Sequence, residues 1–351
     1  MTREGEAASP DPALARLGTV ALIVLPAAFT AYLSFHAGGF FPATPALVAL
    51  VLAQILVLRT TVAETPFAGY SRPLAIAAAA FALYALWGLG SALWSHALGR
   101  ALVEFDRILM YLLILVLFGS MRWTYRETRW MARAFTLSLV AVCGAALMSR
   151  VLPDVLVTNP GFATDRLSYP LTYWNTLGLV AALGVIFCLF LASDERGAAW
   201  VRALGAAGLP VTATTLYFTF SRGAIAACVI AVLVFVVLAR PRGLLGAAVA
   251  GAGPAAIALV SAYHATLLSA ADPTSPAAVA QGHHVAAVVA GCALAAALLR
   301  LLLAPVDARV AGIEAPMLSR RTTGLVTGGA LIVAVVAIFA TGLSDRIGHD
   351  Y

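Results

Sequence analysis

Runs of about twenty apolar residues recur along the whole of this 351-residue chain, each long enough to cross the ~30 Å hydrocarbon core of a bilayer as one helix. Inside hydrocarbon no water meets stray backbone N–H and C=O groups, so such a chain must close its hydrogen bonds within helices. The predicted fold class is therefore all-α, a polytopic integral membrane protein. Composition agrees: 62% of residues are hydrophobic and 11% charged, where a soluble domain carries about 25% charged residues.

The apolar runs predict about eleven transmembrane helices, near 17–35, 44–58, 73–94, 102–120, 131–150, 174–193, 203–220, 223–239, 243–265, 284–304 and 323–342. They make one transmembrane domain over 17–342, between a cytoplasmic tail at 1–16 and an outer tail at 343–351. The first run follows an acidic-leaning tail with no basic n-region or clear small-residue cleavage site, and reads as a retained span. The fourth carries Glu104, Asp106 and Arg107 in its first two turns.

The net charge of +6 comes from arginine alone, since there is no lysine. These arginines are spread over the loops between apolar runs and form no stripe of the kind that binds nucleic acid, so none is expected as a partner. They do set orientation. With the N-terminus inside, the inner segments carry Arg3, Arg16, Arg59, Arg72, Arg122, Arg126, Arg129, Arg133, Arg196, Arg202, Arg240, Arg242, Arg300, Arg309, Arg320 and Arg321. The outer side carries Arg100, Arg107, Arg150, Arg166, Arg222 and Arg346. Sixteen against six places the N-terminus in the cytoplasm, and eleven spans place the C-terminus outside.

Residues 203–238 are almost uninterruptedly apolar. As one helix they would run roughly 54 Å, nearly twice the hydrocarbon thickness. The expectation is two antiparallel spans joined at Ser221-Arg222-Gly223, with Gly223 supplying the permissive backbone of the turn. The longest outer loop, 151–173, mixes Pro and Gly with apolar residues and is expected to lie along the interface as short helices or turns.

Most arginines read as cytoplasmic loop anchors. Arg166 and Arg222 run against that trend, outside and beside apolar sequence, where an ionisable group is costly and tends to be functional. Two guanidinium forks suit a phosphate or diphosphate; a lipid-headgroup anchor is the plainer reading. Asp165 either orients Arg166 or is merely solvated, and solvation is favoured. Asn175 is a helix-start residue, an interhelical hydrogen bonder or a ligand contact. Tyr169, Tyr173 and Trp174 suit an aromatic belt or a sugar platform. His96 with Arg100, Glu104, Asp106 and Arg107 forms a second polar patch, whereas the loop flanked by His264 and His283-His284 looks passive. The four cysteines, Cys143, Cys188, Cys228 and Cys292, read as buried packing residues, and no spacing of ligands suggests a metal.

At these residues a family comes into view. The segment DRLSYPLTYWNTLGLVAALGVIFCLFLA (165–192), followed by TLYFTFSRGAIAACVIAVLVFVVL (215–238), resembles the O-antigen ligase and O-antigen polymerase family of bacterial membrane glycosyltransferases. In that family an outer-loop Arg precedes a Pro-Asn or similar step at the start of a span, and a Ser-Arg-Gly turn joins the next two spans. Arg166, Asn175, Ser221, Arg222 and Gly223 fall on those positions. Spacing and topology agree over roughly residues 70–240; elsewhere the likeness is one of character.

The resemblance implies transfer of a glycan from a polyprenyl diphosphate carrier to an acceptor hydroxyl, on the outer face of the bacterial cytoplasmic membrane, without metal, cofactor or nucleotide sugar. Arg166 and Arg222 would hold the diphosphate and stabilise its developing charge. Tyr169, Asn175, Ser221, His96 and Arg100 are the candidate substrate contacts. Family members typically also carry a large, late outer loop with a His proposed as base. This sequence stops at SDRIGHDY, with His349 outside any such motif: either a piece of a longer protein or a shorter relative lacking that base. Two other functions compete: a transporter or flippase for lipid-linked oligosaccharides, although the later spans offer no polar central path, and a non-catalytic membrane relative.

Overall fold

The computed structural model describes residues 12–158, 165–239, 241–269 and 274–310, without the side chains of 12–16 and 304–310. The expected span at 323–342 and the tail with His349 lie outside them. The described residues form helices and contain no strand: α1 (Pro12–Phe35), α2 (Ala43–Val62), α3 (Arg72–Gly90), α4 (Ala92–Ser95), α5 (Leu98–Gly119), α6 (Tyr125–Val151), α7 (Trp174–Ser193), α8 (Ala199–Phe218), α9 (Arg222–Ala239), α10 (Leu244–His264) and α11 (Pro276–Val310). Ten of these coincide with expected spans; the short α4 is the end of the third, broken at Ser91.

Among the described residues, eight segments are long and apolar enough to cross a membrane: α1, α2, α3 with α4, α6, α7, α9, α10 and α11. The protein is thus of the multi-pass membrane class. Exposed side chains agree, since Ile76, Leu93, Leu137 and Leu302 are each more than 70% exposed and apolar surface on this scale requires a non-aqueous cover. The two long helices outside that set have separate reasons. α5 opens with Arg100, Glu104, Asp106 and Arg107. α8 is rich in Gly, Ala and Thr and packs against α7, α10 and α11.

The chain divides into two compact units, Met1–Phe135 and Thr136–Tyr351, with the division inside α6. In the first, α5 packs against both α2 and α3, around Val48, Ala49, Leu52, Met110 and Leu117. The loop at 63–71 is fastened by arginines: Arg59 Nε and Nη2 donate to the Pro66 carbonyl at 3.1 and 3.0 Å, and Arg122 Nε donates to that of Ala68 at 2.7 Å. α6 starts on a reciprocal cap, with the Thr124 N–H donating to Glu127 Oε2 at 2.8 Å and the Glu127 N–H to Thr124 Oγ1 at 3.3 Å.

In the second unit α8 is the hub, packed against α7, α10 and α11. Small residues make that possible. A Cβ on Gly205 would fall 2.7 Å from the Ala192 nitrogen and 2.8 Å from the Cys188 carbonyl oxygen; one on Gly184 would fall 2.7 Å from Thr212 Cγ2. Such close backbone approach is how helices gain packing where lipid competes for apolar contact. Buried Thr215 settles its hydroxyl on carbonyls, donating to Val211 at 2.9 Å and across to Cys143 of α6 at 3.0 Å, whereas the buried Thr214 hydroxyl has no partner among the described residues. All four cysteines are buried and free.

Arg300 departs from the loop-anchor reading. It is 1% exposed and its Nε donates to the Ala192 carbonyl at the end of α7, at 2.7 Å. Arg150 is likewise buried, with Nη1 donating to the Leu268 carbonyl at 2.8 Å. Both guanidiniums fasten the second unit from within.

Replacing Gly205 with Val should therefore force α7 and α8 apart and cost about 1–3 kcal/mol. Gly144→Ala, where a Cβ meets nothing within 4 Å, should be neutral or stabilising. Thermal unfolding of the two variants in detergent measures the contrast.

Candidate functional site

α8 ends at Phe218, and the chain reverses through Thr219, Phe220 and Ser221. The turn thus lies earlier than the Ser-Arg-Gly expectation placed it. Phe220, not Gly223, takes the left-handed backbone, with φ of 49°, while Arg222 and Gly223 are already the first residues of α9. Local hydroxyls explain the shift. Thr219 Oγ1 donates to the Leu216 carbonyl at 2.7 Å and accepts the Ser221 N–H at 3.3 Å. Ser221 Oγ accepts the Ala224 N–H at 3.3 Å, which makes Ser221 the N-cap of α9.

The Ser221 hydroxyl also donates to Asn175 Oδ1 at 2.8 Å, and Asn175 Nδ2 donates to the Tyr173 hydroxyl at 2.7 Å. Asn175 is thus an interhelical hydrogen bonder joining the starts of α7 and α9. Gly178, one turn further along α7, allows the approach: its Cβ would sit 2.7 Å from Ala224 Cβ and 3.1 Å from Ser221 Cβ. Sequence reasoning missed Gly178, although its i+3 spacing from Asn175 puts both on one helix face.

The loop before α7 is bound to the same place. The Leu167 N–H donates to the Phe218 carbonyl at 2.9 Å. Leu167 and Leu171 are buried in the apolar cluster with Val151, Leu177, Phe218, Ala262, Leu268 and Val285, so this half of the loop is part of the core. Arg166 lies over Trp174, with Cζ 5.0 Å from the ring centroid, a cation–π arrangement. Its Nε is 3.7 Å from Asp165 Oδ2, with the arginine side chain 40% and the aspartate 58% exposed; Asp165 is solvated and loosely paired at once. Tyr169 is half-buried in the loop. Arg222 is exposed and makes no hydrogen bond or ion pair among the described residues.

The structure therefore gathers Arg166, Asn175, Ser221 and Arg222 at one end of the second unit. His96 and Arg100 belong to the first. His96 is exposed and left-handed, with φ of 52°, and Arg100 is exposed at the start of α5. Within their patch Arg107 is committed to structure, bound to Glu104 at 3.0 Å and donating to the Phe40 carbonyl at 2.9 Å.

The segment between His264 and His283-His284 reads as passive in the sequence, yet His283 is engaged. His283 Nε2 lies 3.0 Å from both carboxylate oxygens of Asp154. Hydrogen bonding by His283 holds the Asp154 carboxyl below the usual carboxylate range. His264 and His284 line a cleft between α10 and α11. Among the described residues no group of three or more His, Cys, Asp or Glu could hold a metal ion. No family model matches the chain, and neither a curated protein nor a solved structure matches it.

Two outcomes follow from this geometry. Asn175→Ala should remove the Ser221 bond, cost about 1 kcal/mol of stability and loosen the α9 start, read as faster amide exchange at 222–226. Because the Asp154 pKa is depressed, the stability from its pair with His283 is fully present above the usual value of 3.8 and is lost as pH falls through the folded value. Amide exchange at 276–284 should accelerate in that acid window, and His283→Ala should show the acceleration already at neutral pH.

Proposed function

We propose that this protein is a membrane glycosyltransferase of O-antigen ligase type. It would move a glycan from a polyprenyl diphosphate to an acceptor hydroxyl on a lipid, protein or polysaccharide, at the outer face of the bacterial cytoplasmic membrane. The observation that carries the reading is the junction of the two motif segments: Ser221 binds Asn175, Trp174 seats Arg166, and the exposed Arg222 follows Ser221 as the first residue of α9.

The chemistry asks for that arrangement. The acceptor oxygen attacks the anomeric carbon, the bond from that carbon to the phosphate oxygen breaks, and its electron pair stays on the departing diphosphate. The acceptor proton leaves to solvent or a nearby base. Negative charge grows on the diphosphate, and forked guanidiniums stabilise it more in the transition state than before it. Arg222 stands at the first turn of α9, where unsatisfied N–H groups add to the attraction. Tyr169 and Tyr173 border the site as contacts for the sugar. No cofactor enters this scheme. Counting α5, α8 and the apolar run at 323–342 with the eight apolar helices gives eleven spans, N-terminus inside.

Arg222→Ala and Arg166→Ala should each abolish binding of a polyprenyl-diphosphate oligosaccharide, or its transfer, with membrane abundance unchanged. Lys at either position should recover only part, because an ammonium keeps the charge and loses the fork. The double variant should be little worse than either single one. Wild-type transfer by Arg222→Ala ends the assignment; flipping of the donor across vesicles without transfer replaces it with a transporter. Reporter fusions after Arg126 and after Arg242 should be active only in the cytoplasm and one after Asp154 only outside; reversal of this pattern would remove Arg222 from the outer face.

A further inference from the structure

The cleft between α10 and α11 encloses about 660 Å³, within the range of small-molecule sites. Its walls are two facing stripes. Ile257, Val260, Ser261 and His264 follow one another at i, i+3, i+4 and i+7 on α10; Ala277, Ala280, Gln281 and His284 do so on α11, with Val288 at i+11. The stripes are graded. His264 closes α10 and Gln281 lies near the start of α11, so the polar groups gather toward that end, while Ile257 sits about 10 Å further along α10 and faces the Val288 end of the cleft.

The polar groups are supplied as donors. Gln281 Oε1 is occupied, accepting the Leu267 N–H at 3.1 Å, which leaves its amide N–H groups free to donate. His264 and His284 are exposed imidazoles with no hydrogen bond among the described residues, and each offers at least one N–H. No carboxylate lines the cleft. Its apolar flank is open, with Ile257 and Val260 60% and 56% exposed, and α10 and α11 are both apolar enough to cross a membrane.

We propose that this cleft holds one anionic phospholipid from the surrounding bilayer, with its phosphate at His264, Gln281 and His284 and an acyl chain along Ile257, Val260 and Val288. The headgroup meets donors and no carboxylate on the cleft wall, which disfavours a zwitterionic lipid whose cation would lack an acidic partner. The bilayer supplies the occupant directly to the open flank. This site uses neither Arg166 nor Arg222 and is independent of the glycosyltransferase reading.

The test is lipid binding by the full chain, stripped of lipid in detergent and examined by native mass spectrometry and thermal shift. Dioleoyl phosphatidylglycerol should bind at least tenfold more tightly than dioleoyl phosphatidylcholine, and inorganic phosphate alone should give no shift. His264→Ala with His284→Ala, both on the exposed rim, should lower phosphatidylglycerol affinity at least tenfold without changing the lipid-free unfolding temperature. Val260→Trp, which fills the apolar end, should do likewise, and Arg222→Ala should bind as wild type. Equal binding of the two lipids, an equal shift with phosphate alone, or undiminished binding by the double histidine variant would each overturn the proposal.

Discussion

The second unit depends on how closely other helices approach α8. Between helices in lipid the hydrophobic effect gives little, and association rests on dispersion contacts and hydrogen bonds made at short range. α8 meets that condition by giving up bulk. Gly205 and Gly208 lie against α7, and Gly251 of α10 takes up the side chain of Leu209. Thr212, Thr215 and Thr219 bury hydroxyls that bond their own helix or α6. The price of small side chains is a weaker hydropathy signal, which is why the most enclosed helix falls outside the set apolar enough to span.

That packing carries the candidate site. The far end of α8 is Phe218, whose carbonyl holds Leu167 and whose ring sits among Leu171, Leu177, Leu268 and Val285. Leu167, Ser168, Pro170 and Leu171 of the loop are thereby buried, and Arg166 beside them lies on the face of Trp174. The α9 start is positioned from α7, through Gly178 and the Asn175–Ser221 bond. A functional constellation needs such support to hold its geometry.

Most of the helix positions were legible in the sequence, since a bilayer demands long apolar runs and ten of them fall on helices. The pairing of 165–175 with 218–222 was legible only as a resemblance. Periodicity does not say which helix starts meet, whereas Gly178 and the Asn175 amide decide it. The turn was misplaced because glycine is the ordinary solution to a reversal; here Thr219 and Ser221 bond the backbone around Phe220 and leave Gly223 to the helix. The histidine pair was missed for a related reason. His283 and Asp154 are 129 residues apart, and nothing local marks them as partners.

The arginines divide by what they meet, and the division bears on function more than their number does. Arg300 and Arg150 are buried with their charge on backbone carbonyls near helix ends, Ala192 at the end of α7 and Leu268 beyond α10. A cation is favoured near a helix C-terminus, where the dipole is negative, although Arg300 Nη1 stays buried without a hydrogen-bond partner among the described residues. Arg222 occupies the opposite end. It begins α9, where the dipole is positive, and a cation there is disfavoured by about 0.3–1 kcal/mol. No described residue offers it an anion. For folding alone the position would be better filled by an acid or a neutral residue. A guanidinium fork at a helix N-terminus, capped by Ser221 and exposed, raises the local positive potential beyond what either feature gives alone. Its position is electrostatically favourable when an anion is bound there, and unfavourable when none is.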